Sequence, residues 1–309
     1  MRPTFIKTLV ELAQKDERIF LLTGDLGYAA LEPFREKFPK RFINMGVAEQ
    51  NMAGFAAGLA MSGKLPVVYS IATFVTLKTL EQVRNDICYQ NLNVKIVGVG
   101  SGLTYSQYGA THHSQEDIGL MRLLPNMKVI CPGDPVEVEA ATRAMMADPQ
   151  PCYLRIGSRG EPVLHEPPID FQIGKGITLR PGKDIALVAT GNMLENTMKA
   201  AELLRGSGLS PQVVSMHTVK PLDANLLKEL FINFQQVFTI EEHSQIGGFG
   251  SAVAELAAEL HDGRASLHRI ALPDQFQKLG AWLARLRQEN GLSPEGIAET
   301  VRKIYNQTS

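Results

Sequence analysis

The sequence predicts an α/β protein of two domains, each built on a doubly wound, largely parallel sheet. Three observations predict this. Short apolar runs alternate with helix-length amphipathic segments through residues 1–165. A stretch rich in proline, glycine and lone charges fills 166–184 and reads as a linker. A second alternating series then occupies 185–309. The length of 309 residues, with 44% hydrophobic content, suits about two domains of ~150 residues.

An amphipathic helix opens the chain, with Phe5, Leu9, Val10 and Leu12 along it. Aliphatic and β-branched runs predict strands at 19–23, 66–70, 94–99, 128–131 and 152–156. Helical patterns lie between them at 80–89, 115–124 and 135–147. Pro167-Pro168 and Arg180-Pro181-Gly182-Lys183 mark the linker. Beyond it come strand 185–190, helix 193–205, strand 212–216, helix 223–231, strand 237–240 and helix 250–260. Two further helices are expected near 280–289 and 294–305.

One helix stands apart. Asn44-Met45-Gly46-Val47-Ala48-Glu49-Gln50-Asn51-Met52 opens a small-residue segment that continues to Ala60. Met52, Phe55, Ala56, Leu59 and Ala60 recur at helical spacing, which predicts one buried face. Gly54, Ala57 and Gly58 offer little side chain and allow another backbone to come close. A carboxylate, Glu49, at the mouth of such a helix suggests a catalytic acid at a subunit seam. The alternative is an acid that merely favours the positive helix end.

Composition excludes several classes. The net charge is -1 and the basic residues are dispersed, so no nucleic-acid footprint is expected. No apolar run approaches the ~20 residues of a bilayer span, so no membrane insertion is expected. The N-terminus lacks a signal-peptide layout. Cys88, Cys131 and Cys152 form no metal-ligand spacing, which fits a reduced, cytoplasmic protein.

The segment around Glu49 resembles the pyrimidine-binding domain of thiamine-diphosphate enzymes, in particular the C-terminal half of transketolases. The resemblance extends to 19–26, to Ala72-Thr73-Phe74 with Glu81-Gln82-Val83-Arg84-Asn85, to Gly109-Ala110-Thr111-His112-His113, and to His217-Thr218-Val219-Lys220-Pro221-Leu222. Each string is weak alone, and their order and spacing together are specific. The resemblance implies a pyrimidine-binding domain followed by a transketolase C-terminal-like domain.

It also implies roles. Glu49 would share a proton with the coenzyme's pyrimidine ring from an apolar pocket, making the opposite amino group basic. Phe74 would be the aromatic platform, although the aromatics usual three and six residues on are replaced by Leu77 and Leu80. Asp25, with Leu26 beside it, matches an acid near the coenzyme, a surface turn being the alternative. His112 would meet the hydroxyls and carbonyl of the donor ketose. His113 and the scattered His165, His217, His243, His261 and His268 read as solvated. Arg155 or Arg159, expected at the site rim, would grip a sugar phosphate, and the spacing does not decide between them.

Two further features shape the expectation. The diphosphate-and-magnesium motif, Gly-Asp-Gly followed by Asn, is missing: Gly24-Asp25-Leu26 lacks the second glycine, and Asn51 belongs to the Glu49 helix. The resemblance therefore implies a separate N-terminal subunit carrying the diphosphate and Mg²⁺ half-site, with an α₂β₂ assembly. Tyr108 stands where transketolases present an aspartate to the substrate, and Gly100 where many carry a histidine, which points to a specialised sugar. The Gly247-Gly248-Phe249-Gly250 loop resembles a phosphate cradle, and the structural reading is favoured. Rival readings are a 2-oxo-acid dehydrogenase E1 β-type subunit, a 1-deoxyxylulose-5-phosphate synthase-like activity, and a degenerate interaction subunit.

Overall fold

The first series of aliphatic runs folds as expected, and a computed structural model describes residues 1–158, 160–261, 265–277 and 282–308. Its strands are β1 (Ile19–Thr23), β2 (Phe42–Asn44), β3 (Leu65–Ile71), β4 (Lys95–Val99), β5 (Lys128–Ile130) and β6 (Cys152–Ile156). The remainder are β7 (Ile177–Arg180), β8 (Ile185–Ala189), β9 (Pro211–Ser215), β10 (Thr218–Lys220), β11 (Gln236–Ser244) and β12 (Ser266–Leu272).

The first sheet runs β10-β5-β6-β4-β3-β1-β2, parallel throughout except at the β10 edge. Strands β4 and β6 are buried along their whole length, and β3 is buried except at Ile71. Helices cover both faces of such a sheet, so these strands read as continuous apolar runs and not as alternating ones. Helix Pro135–Ala147 shows why its boundary was predictable. Asp134 accepts from the Glu137 backbone N–H at 2.8 Å, and Pro135 occupies the first turn.

The second sheet runs β12-β11-β8-β9-β7, with β7 antiparallel to β9 and the rest parallel. Strand β7 lies inside the stretch read as linker, so part of 166–184 belongs to the second sheet. Strand β12 was not expected, because His268 and Arg269 interrupt its apolar pattern at a sheet edge. Helix 80–89 was expected as one α-helix. It is a short turn, Leu80–Gln82, followed by a π-helix, Val83–Cys88, whose wider turn brings Val83, Ile87 and Cys88 into the core.

The two units are joined through a strand. After β9 the chain leaves its own sheet, and β10 pairs antiparallel with β5, Thr218 opposite Ile130. The Cys131 N–H donates to the His217 carbonyl at 2.7 Å, and Lys220 Nζ donates to the Leu124 carbonyl at 2.6 Å. Three residues are too few to carry a strand period, so this exchange left no trace in the sequence pattern.

Candidate active site

The predicted chemistry-bearing residues converge because the sheet is parallel. Asp25 follows β1, Glu49 follows β2, Phe74 follows β3 and His112 lies on the long loop after β4. All four therefore emerge at the carboxyl ends of neighbouring strands, where α/β sheets place their ligand crevices.

Glu49 is the first residue of helix Glu49–Met61 and is 2% exposed. The turn before it uses Gly46 at φ +69, and the Met45 N–H donates to the Thr23 carbonyl at 2.8 Å. Gly24 faces the acid, and a Cβ there would lie 3.6 Å from Glu49 Oε1. Lys78 Nζ donates to Glu49 Oε2 at 2.6 Å. The helix buries Met52, Ala53, Ala56 and Ala57, whereas Phe55 is 42% exposed. Phe55 thus leaves the expected buried set, since it sits on the face turned outward. Gly58 meets no atom of this chain within 4 Å of a built Cβ, so its bareness serves nothing inside the described residues.

Phe74 sits in helix Ala72–Leu77, edge-on to the His112 ring at 5.1 Å between centroids. His112 Nδ1 is 3.0 Å from the Thr111 hydroxyl, and its ring lies 5.1 Å from that of Tyr108. Partial desolvation holds the His112 imidazole below its ordinary value, so it is neutral near pH 7 and able to take a proton. Tyr108 is exposed and meets Tyr105 edge-on at 6.0 Å. Tyr105 explains Gly100. A Cβ at Gly100, whose φ is +79, would fall 2.0 Å from the Tyr105 ring. The phenol thus fills the space a side chain at position 100 would need.

Asp25 is exposed, at φ +56, and is tied down locally. Asn44 Nδ2 and the Tyr28 hydroxyl donate to its Oδ1 at 3.0 and 2.9 Å, and these two bonds hold its carboxyl below the usual value. Asn44 Oδ1 in turn accepts from the Asp25 and Gly46 backbone N–H groups, linking this turn to the one before Glu49. Leu26 is half-buried against the core beneath helix Arg2–Lys15, and its carbonyl accepts from the Thr23 hydroxyl.

Arg155 corrects an expectation. It is not at a rim: it is 1% exposed, in the middle of the structure. Its Nε donates to Asp117 Oδ2 at 2.7 Å, and its Nη2 donates to the Ser114 and Glu242 carbonyls at 3.1 and 3.0 Å. A guanidinium committed to these partners is unavailable to a phosphate. Arg159 lies outside the described residues. The histidines need a similar correction. His113, His165, His217 and His243 are buried, while His261 is exposed and His268 half-buried.

The glycine-rich loop is closed to phosphate by the chain itself. Glu241, buried on β11, accepts from the Phe249 and Gly250 N–H groups at 2.7 Å each, taking the anion position at that helix start. Its neighbour Glu242 accepts from the Leu103 N–H, from Asn192 Nδ2 and from Arg287 Nε. A Cβ at Gly102 would lie 2.3 Å from Glu242 Oε2, so the glycine permits this approach. The C-terminal domain thereby holds the loop that carries Tyr105, Tyr108 and His112.

Two residues of the site were missed by sequence reasoning. Asn44 gave no signal beyond being polar before a glycine turn. Lys78 had one: it stands four residues after Phe74, one helical turn on, and so falls on the same face.

Comparison with known proteins bears on the chain as a whole. The transketolase pyrimidine-binding domain matches residues 1–160, and the transketolase C-terminal domain matches 174–297. The 6-deoxy-6-sulfo-D-fructose transketolase subunit SqwH of a Clostridium strain is 37% identical, over 98% of this chain and 94% of its own length. An apulose-4-phosphate transketolase subunit of Phocaeicola vulgatus is 35% identical, over 97% of this chain and 95% of its own. Among solved structures, a split gene transketolase described as an inactive beta4 tetramer superposes with a TM-score of 0.89 at 38% identity, covering 99% of this chain and 97% of that one. With both domain patterns matched in order and relatives of 35% and 37% identity aligned over nearly their full lengths, this chain belongs to the transketolase family.

Proposed function

We propose that this chain is the C-terminal subunit of a split transketolase. Joined to an N-terminal subunit, it moves a two-carbon ketol unit from a ketose to an aldose, with thiamine diphosphate and Mg²⁺. The observation that carries this reading is Glu49. It is a carboxylate 2% exposed, at the same carboxyl-end side of the sheet as Phe74 and His112, in a chain whose full-length relatives are transketolase subunits.

The residues fit the coenzyme's pyrimidine half. Glu49 Oε2 is held by one lysine, and Oε1 accepts no hydrogen bond among the described residues. Phe74 supplies a half-buried aromatic ring nearby. When bound, thiamine diphosphate supplies a carbon nucleophile that carries the transferred unit. Glu49 holds a proton at the ring nitrogen, in a pocket poor enough in water to favour sharing it. Neutral His112 accepts or returns a proton at the donor's hydroxyl and carbonyl, steadied by Thr111. Asp25, locked by Asn44 and Tyr28, shapes the turn beside the acid, with Leu26 behind it.

The surface supports a reading of the assembly. Val47, Phe55, Leu77 and Tyr89 are exposed apolar residues on and around the Glu49 helix, a patch suited to a subunit seam. We take the complex to be α₂β₂, with the diphosphate and metal ligands on the partner subunit. The solved relative described as an inactive beta4 tetramer supports self-association of this kind of chain. Three buried, free cysteines suit a reduced cytoplasm. No described helix is long and apolar enough to cross a membrane.

The substrate is a specialised sugar. Tyr108 replaces an anionic hydroxyl acceptor with a phenol, and Tyr105 occupies the space above Gly100. Relatives named for a sulfofructose and for apulose 4-phosphate support that direction. The test is reconstitution with an N-terminal subunit and a panel of ketose donors. Ketol transfer should need both subunits and the coenzyme, and should favour deoxy, branched or sulfonated donors. Decarboxylation of 2-oxo acids without ketol transfer, or full activity on xylulose 5-phosphate and ribose 5-phosphate, would overturn the respective parts.

A further inference from the structure

The lysine on Glu49 has a consequence for how the site is kept ready. Lys78 follows helix Ala72–Leu77 and donates from Nζ to Glu49 Oε2 at 2.6 Å. The same Nζ lies 5.5 Å from the centroid of the Phe74 ring. An ammonium group is therefore within reach of both groups proposed to take the pyrimidine. The two side chains differ sharply in burial, 47% exposed for Lys78 against 1% for Glu49.

A buried carboxylate without a partner is costly, because it gives up its hydration with nothing in return. Lys78 offsets that cost. Yet the ammonium on Oε2 draws on the same carboxylate charge that a ring nitrogen at the open Oε1 would engage, so each bond weakens the other. Both cannot be satisfied at full strength at once. Lysine suits a temporary partner, since its four-carbon stem reorients readily and its head is already half in water. Arginine in this place would grip with a planar fork and leave less easily.

We propose that Lys78 is a displaceable counter-ion, a positioning residue that holds Glu49 in place until the coenzyme's pyrimidine engages it, and then lets go. The inference rests on the functional reading above. It makes coenzyme binding an exchange of partners at one carboxylate, and Lys78 sets how tightly the pyrimidine half is held.

The test uses the assembled two-subunit protein, titrated by calorimetry with thiamine diphosphate and, separately, with inorganic pyrophosphate, both with Mg²⁺. Lys78→Met should tighten thiamine diphosphate binding about twofold to fivefold, the scale of one half-exposed ion pair. Pyrophosphate, which lacks the pyrimidine, should bind unchanged. Lys78→Arg, which keeps the charge and the fold, should weaken thiamine diphosphate by a similar factor. Adding Lys78→Met to Glu49→Gln should leave affinity where Glu49→Gln put it. Equal or weaker thiamine diphosphate binding by Lys78→Met, or unchanged binding by Lys78→Arg, overturns the inference and spares the function. A wild-type assembly that binds thiamine diphosphate no better than pyrophosphate overturns both.

Discussion

Replacing Arg155 by methionine separates a framework role from a substrate role. The guanidinium makes three hydrogen bonds, to Asp117 Oδ2 and to the Ser114 and Glu242 carbonyls. Desolvation pushes the Asp117 carboxyl up, and Arg155 above all, with His243 and the Tyr153 hydroxyl, outweighs it, so the group stays below its usual value. Losing one partner of such a pair costs about 3–5 kcal/mol, because the remaining charge is buried alone. The two orphaned carbonyls lie within that range and do not add to it fully, since all three bonds share one side chain. The denaturant midpoint of Arg155→Met, followed by circular dichroism, should fall steeply. Changing Asp117 to leucine in the same chain should recover part of the loss. A normal midpoint, with a raised KM confined to phosphorylated sugars, would refute the structural assignment.

Three other outcomes are expected. Gly100→Ala should destabilise the chain and lower affinity for the donor sugar, because its Cβ meets the Tyr105 ring at 2.0 Å in a left-handed backbone; adding Tyr105→Ala should relieve the clash, though not the strain. His112→Ala should lower kcat/KM about 10²–10⁴-fold with little change in folding, and an unchanged pH–rate profile in His112→Gln would tell against proton transfer at that ring. Burial, above all, raises the Glu137 carboxyl to about 7. The folded state therefore binds more protons than the unfolded one between about pH 4.5 and 7, and this group lowers stability as pH rises through that window. Glu137→Gln should flatten that part of the stability–pH curve, read by thermal unfolding at a series of pH values.

Much of the architecture was legible because parallel strands buried on both faces announce themselves as aliphatic runs, as β4 and β6 do. Strands with other roles were not. β10 is three residues long and serves a sheet it does not belong to by sequence. β12 is interrupted by His268 and Arg269, and β11 continues past Ile240 with Glu241, Glu242 and His243 buried in it. Charged residues read as surface, and their partners are supplied from distant segments: Glu242 from Leu103, Asn192 and Arg287, Arg155 from Asp117. The same blindness placed Arg155 at a rim and four histidines in solvent.

The site was legible as a set of strings and less so as a geometry. Phe74 and His112 meet, and Lys78 links Glu49 to Phe74, because β2, β3 and β4 all end at the carboxyl side of one parallel sheet, which the alternation of elements foretells. Lys78 closes over Glu49 through helical spacing that was visible and unread. The role of Gly100 could be seen only once Tyr105 was in place, since no local pattern joins residues five apart across a turn.

In the proposed function, activation of the coenzyme depends on Glu49. The direct measurement is hydrogen–deuterium exchange at the thiazolium carbon of thiamine diphosphate bound to the assembled two-subunit protein, wild type against Glu49→Gln. Fast exchange in the wild type and exchange at least about 10²-fold slower in the variant is the predicted result. Equal rates in two assemblies that bind the coenzyme equally well would contradict it.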